Sequence, residues 1–272
     1  MYEGLNPLLT VCPGSRWLTV GDGRCGTDAC YLAQRGMEVL ATDISDTMLK
    51  EAQARGFIKH YRKENAERLS FEDNSFDFVL CKEAYHHFPR PMMALYEMLR
   101  VARRGIVLIE PDDTPVVVPW SRVFKMGIKE LLIRLGCGRL FGDLRTEIID
   151  FGTNWYEEVG NFGFAISRRE IEKVALGLNL PQVAFKGFND LYVAGVEHEP
   201  LSPESALFRR ISGELHELDR HSNRGLSRGR YKLSASIIFK ESIDDIVRSS
   251  LLNGSFEVRD LPRNPYLSPV AS

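Results

Sequence analysis

The chain has 272 residues, 44% of them hydrophobic and 26% charged, with a formal net charge of −2. That composition supplies a sizeable apolar core and excludes a bulk-charge attraction to nucleic acid or to an anionic membrane. Five cysteines (Cys12, Cys25, Cys30, Cys81 and Cys137), odd in number and without a C-x-x-C pair, read as free thiols in a reducing compartment, ahead of zinc ligands or a disulfide framework. The first residues, "MYEGLNPLLTVCPG", lack the basic and apolar regions of a leader, and no apolar run approaches the roughly 18 residues of a membrane span. A cytoplasmic protein with no membrane span is expected.

Short apolar runs alternate with helical patterns through the first 110 residues, as in βαβ units of a parallel sheet. "RWLTV" (16–20) predicts strand one, and residues 27–35 a helix closed by Gly36. "EVLATD" (38–43) is strand two and ends on an acid. Ser45 is placed to cap a helix carrying Met48, Leu49 and Ala52 and stopping at Gly56. Residues 57–61, 76–81 and 105–110 predict strands three to five, with an amphipathic helix over 91–103 between the last two. The rhythm then breaks. Residues 111–166 form an insertion with a predicted helix at 121–135 and an aromatic, glycine-rich stretch containing Phe151, Trp155, Tyr156, Phe162 and Phe164. Ser167 and Glu170 have capping-box spacing at the head of the next helix. Strands at 183–188 and 231–239 flank a helix at 203–220. The chain therefore divides into a core at 1–110, a lid insertion at 111–166, the remainder of the core at 167–245 with a second insertion near 193–230, and a tail at 246–272 that is rich in Pro, Ser and Asn from Asn253 on.

The stretch "TVGDGRCGTDACYLAQRG" (19–36) places Gly21, Gly23 and Gly26 in G-x-G-x-x-G spacing, with Asp43 where a ribose-binding acid is expected. A strand, a glycine turn and a helix bring backbone N–H groups to the carboxyl edge of the sheet, and glycine lets a ligand approach the main chain. This suits a dinucleotide, and equally a nucleoside carrying an amino acid, so the spacing alone leaves an NAD(P)-dependent oxidoreductase, an S-adenosylmethionine enzyme and a non-catalytic binding scaffold all open.

The text from Asn65 to Pro111, "NAERLSFEDNSFDFVLCKEAYHHFPRPMMALYEMLRVARRGIVLIEP", favours the second and leaves the other two as alternatives. Together with residues 18–36 it resembles the class I S-adenosylmethionine-dependent methyltransferases of the ubiquinone/menaquinone-biosynthesis type. The resemblance implies a Rossmann-like α/β fold: a mostly parallel seven-stranded sheet with an antiparallel last strand, plus largely helical lid insertions. It implies S-adenosyl-L-methionine as cofactor and Gly21, Gly23, Asp43 and the adjoining Ile44 as cofactor-binding residues. Asn65, Ala66 and Glu67 fall at the adenine edge, Asn65 meeting an exocyclic amine through its carbonyl oxygen, and Lys82 falls at the methionine portion. The chain departs from the family at Thr19, where an acid is usual, and at Cys25, where a glycine is usual. Asp22 is the expected substitute for the missing acid.

Methyl transfer from a sulfonium needs positioning and desolvation more than elaborate catalysis. His86 and His87, in the turn after strand four, are the candidate bases, although a histidine packed in the turn is the more ordinary reading there. Tyr85, Glu110, Trp155 and Tyr156 are the expected acceptor contacts. Glu110, Asp112 and Asp113 end strand five as caps and solvated charges rather than metal ligands. Arg220, Arg224, Arg228, Arg230 and Lys232 are read as a solvated basic loop near the site. A small-molecule acceptor is expected, since no nucleic-acid-binding module or basic face is evident.

Overall fold

The computed structural model describes residues 1–112, 155–156, 162–191, 193–196, 202–223 and 231–266. The predicted helix at 121–135, Phe151, Asp113, Cys137, and the arginines at 224, 228 and 230 lie outside them.

Eight strands form one sheet. In chain order they are β1 (Arg16–Val20), β2 (Glu38–Asp43), β3 (Tyr61–Lys63), β4 (Phe76–Lys82), β5 (Ala102–Pro111), β8 (Gln182–Phe188), β9 (Leu233–Phe239) and β10 (Glu257–Asp260). A separate two-stranded ribbon pairs β6 (Trp155–Tyr156) with β7 (Phe162–Gly163). The sheet order is β10-β8-β9-β5-β4-β1-β2-β3. Strands β3, β2, β1, β4 and β5 run parallel, and β9 runs antiparallel between β5 and β8. This is the doubly wound α/β sheet with an antiparallel last strand that the sequence implies. It is extended by an eighth strand, β10, antiparallel to β8.

The central strands are apolar on both faces because helices cover both. One face buries Leu18, Val79, Ile106 and Val183 against helices α4 (Pro91–Val101) and α5 (Arg168–Gly177). The other buries Trp17, Phe78, Val107 and Ile237 against α1 (Asn6–Val11), α2 (Thr27–Ala33) and α7 (Asp245–Asn253). A smaller cluster of Ala29, Ala41, Leu49 and Ile58 joins α2 and α3 (Thr47–Ala54) to β2. The last helix, α6 (Ala206–Asn223), precedes β9. Among the described residues no helix is long and apolar enough to cross a membrane.

Three local expectations are corrected. Ser45 does not cap α3: Asp46 occupies the N-cap, and the Ser45 N–H instead donates to Asp43 Oδ1 at 2.8 Å. The third strand begins at Tyr61 rather than at residue 57, because Phe57 is exposed and Ile58 turns into the cluster under α2. Residues 245–260 are α7 and β10, with Val247, Leu251 and Phe256 buried, so this part of the Pro/Ser/Asn-rich end is core. The capping box at α5 is present as expected, with Ser167 Oγ accepting from Glu170 N and Glu170 accepting from Ser167 N.

Candidate functional site

The carboxyl ends of β1, β2 and β4 open onto a cavity of about 520 Å³. Its floor is the glycine turn after β1. Gly21 has φ +78°, and a Cβ there would lie 2.3 Å from the Ala84 Cβ, so only glycine fits. A Cβ on Gly23 would lie 2.7 Å from Asp43 Oδ2. The second glycine therefore leaves the space in which the β2 carboxylate sits beside the main chain. Gly26 works differently: it is the N-cap of α2 at φ +64°, and a Cβ would strike Ile58 at 2.9 Å. It aims the helix.

All nine residues expected at the cofactor line this cavity: Gly21, Asp22, Gly23, Asp43, Ile44, Asn65, Ala66, Glu67 and Lys82. Ile44 presents a side chain 66% exposed at the mouth, an apolar surface for a flat base. Asn65 Oδ1 accepts the Glu67 N–H at 2.9 Å, so the oxygen expected to meet an amine closes its own turn. Glu67 accepts from the backbone N and the Nε of Arg90, both at 2.8 Å, and ties that turn to the start of α4.

The turn after β4 carries the histidines. His86 Nδ1 lies 2.6 Å from Glu110 Oε2, and Glu110 Oε1 accepts the Ala84 and Tyr85 N–H groups at 3.0 Å each. Glu110 is 1% exposed, so its charge is met by two backbone donors and one imidazole. Because Nδ1 faces a carboxylate it carries the proton, and the basic nitrogen of the ring is Nε2. His86 and His87 both line the cavity, their rings 4.0 Å apart. The His86 carbonyl accepts the Phe164 N–H at 2.9 Å, which fastens the end of the β6–β7 ribbon to this turn.

The family described as a methyltransferase domain matches residues 18–109, from β1 through β5. Over 113 residues the chain is 35% identical to the demethylmenaquinone methyltransferase of Renibacterium salmoninarum, covering 41% of this chain and 47% of that one. Over 124 residues it is 32% identical to that of Beutenbergia cavernae, covering 45% and 51%. Residues 18–109 are thus similar to the methyltransferase domain of S-adenosylmethionine-dependent methyltransferases. The chain spans about half the length of the curated relatives it matches. The fold is shared with the Haemonchus contortus phosphoethanolamine N-methyltransferase 2 solved with S-adenosyl-L-methionine, at a TM-score of 0.51 and 16% identity over 88% of this chain and 52% of that one.

Three site expectations change. Tyr85 is 1% exposed, sits in the core with Leu95 and Met98, and donates to the Met92 sulfur at 3.7 Å, so it is a packing residue rather than an acceptor contact. Glu110 holds His86 and two backbone N–H groups beneath the turn instead of meeting an acceptor. Asp22 points inward: Oδ1 accepts the Asp28 N–H at 3.1 Å, and Oδ2 accepts the Ala29 N–H and the Thr19 hydroxyl, both at 2.9 Å. It closes the glycine turn onto α2, and burial followed by the charge of Asp28 pushes its carboxyl up to about 7. The backbones of Trp155 and Tyr156 pair with Gly163 and Phe162. Arg220 is ion-paired with Glu217, and Lys232 donates to the Asp190 carbonyl.

Sequence reasoning missed Asp28 and Tyr2. Asp28, the second residue of α2, lines the cavity, and Tyr2 reaches it from the N-terminal 3-10 turn Tyr2–Leu5 with a 2.6 Å bond to Oδ1. Asp28 was readable as a polar residue on the first turn of the motif helix. The approach of Tyr2 had no local signal.

Proposed function

We propose that the protein transfers a methyl group from S-adenosylmethionine to a small-molecule acceptor, with His86 as general base. The observation that carries this reading is that His86, oriented by Glu110, faces the same cavity as the Gly21, Gly23 and Asp43 cradle. The residues present suit the cofactor: an acid beside a glycine for the ribose, an apolar Ile44 and Ala66 for the base, and Lys82 at the far end. When bound, the cofactor supplies an electrophilic methyl carbon on a sulfonium whose leaving group is a neutral thioether. The protein then needs to exclude water, hold the acceptor in line and take its proton. His86 Nε2 would take the proton of the acceptor's heteroatom, and the Glu110 carboxylate would balance the charge on the imidazole. Such a base suits a hydroxyl or enol acceptor better than a neutral amine. The 111–166 insertion meets this turn at Phe164, whose N–H donates to the His86 carbonyl.

The test is thermal unfolding in the presence of S-adenosylhomocysteine, NAD or NADP. A specific ligand at a hundred times its dissociation constant adds about 2.7 kcal/mol. Stabilisation by S-adenosylhomocysteine alone supports the proposal, and stabilisation by a dinucleotide alone overturns it.

A further inference from the structure

We infer that Asp28 and Lys82, buttressed by Tyr2, form the clamp for the zwitterionic amino-acid end of the cofactor, replacing the acid that Thr19 displaced from the end of β1. The inference rests on the cofactor reading above. Thr19 is fully buried, and its hydroxyl is spent on Asp22. Asp22 cannot substitute, because both its oxygens hold the start of α2. Asp28 is the next carboxylate on the cavity wall. Its side chain is 5% exposed, and the Tyr2 hydroxyl at 2.6 Å and Lys82 Nζ at 3.5 Å both engage Oδ1. Its Oδ2 accepts no hydrogen bond from any described residue. A carboxylate oxygen that accepts no hydrogen bond and opens onto the cavity can take a cationic donor.

Lys82 supplies the opposite charge. It is 12% exposed in its side chain, stands 5.1 Å above the Tyr2 ring, and holds Asp28 and Glu83 only at 3.5 Å each. An ammonium that reaches Asp28 Oδ2 brings a carboxylate of the same molecule toward Lys82 Nζ, so both charges of the zwitterion are matched. Tyr2 is itself fixed by stacking on Tyr31, with ring centroids 4.3 Å apart and planes at 15°. The N-terminal turn, which lies outside the matched segment 18–109, thereby braces Asp28 and Lys82 on the cavity wall.

Titration calorimetry with two nucleosides isolates the clamp: S-adenosylhomocysteine carries the amino-acid end, and 5′-methylthioadenosine lacks it. Asp28→Asn weakens S-adenosylhomocysteine by about 10- to 100-fold, the range for losing a hydrogen bond to a charged group, and leaves 5′-methylthioadenosine within about 2-fold. Lys82→Met behaves the same way, and Tyr2→Phe gives a smaller loss, about 3- to 10-fold, for S-adenosylhomocysteine alone. Equal loss for both nucleosides, or no loss for either, overturns the clamp while leaving the cofactor reading intact. If the wild type binds neither nucleoside, the cofactor reading falls and the clamp with it.

Discussion

His86 Nδ1 and Glu110 Oε2 are 2.6 Å apart at the base of the cavity, in a pair whose carboxylate is 1% exposed. The glutamate fixes the ring tautomer and orientation, so the two residues act as a unit. His86→Ala and Glu110→Gln are each expected to lower the rate of methyl transfer by about 10²- to 10⁴-fold. Both should leave the dissociation constant of S-adenosylhomocysteine within about 3-fold. The measurements are transfer of labelled methyl to a panel of phenolic and enolic compounds, and calorimetry with the nucleoside. Full turnover in His86→Ala would remove the base from the mechanism.

Gly23 and Gly26 separate by function although they belong to one motif. Alanine at Gly23 adds no backbone strain, but its Cβ displaces the Asp43 carboxylate, so cofactor affinity should drop more than about 10-fold with little change in stability. Alanine at Gly26 must adopt φ +64° against Ile58, so it should cost about 1–3 kcal/mol of stability and spare affinity per folded molecule. Urea unfolding and calorimetry on the two variants give the comparison. A Gly23→Ala protein that binds as the wild type does would put Asp43 away from the ribose.

Phe256 lies at 3% exposure in the cluster with Leu8, Ile237 and Leu251, between α7 and β10. Phe256→Ala should destabilise the fold by about 3–5 kcal/mol in urea unfolding, a loss no disordered tail would show. A change below about 1 kcal/mol would mean that the end of the chain is not part of the core.

The contrast between the two ends of the sheet explains what the sequence made legible. β1, β4 and β5 are buried along most of their length, so their apolar runs are nearly continuous, and the glycines between the first strands answer to local backbone geometry. Those elements, and the cavity residues beside them, could be placed from spacing and from the family resemblance. Tyr85 and Glu110 misled because the carboxyl edge of a sheet holds supporting residues as well as contacts, and only burial separates them. The Tyr2 bond to Asp28 spans 26 residues, and α7 and β10 owe their order to packing on β8 and α1, so no local pattern announced either. Asp22 was read from its place in the motif, whereas its direction is set by two N–H groups of α2 and the Thr19 hydroxyl.

Asp22 gives a pH dependence whose sign can be worked out. Burial, and next the charge of Asp28, raise its carboxyl to about 7, and burial also raises Asp28, with Lys82 and Tyr2 opposing that shift and Glu83 adding to it. A carboxyl whose folded value is raised stabilises the fold fully below its unfolded value, near 4, and that stabilisation is lost as pH rises to about 7. Asp22→Asn removes this titration. The stability of the wild type minus that of the variant should therefore fall between about pH 4 and pH 7 and level off above, which melting curves at half-unit steps will show. A difference that rises across that window would contradict the protonated, buried carboxyl. Docking an ammonium against these groups favours their charged forms, so binding S-adenosylhomocysteine near pH 6 should release protons, measured by calorimetry in buffers of different ionisation enthalpy. For 5′-methylthioadenosine, which brings no ammonium, release should be absent. Proton uptake with S-adenosylhomocysteine would place the amino-acid end away from this wall of the cavity.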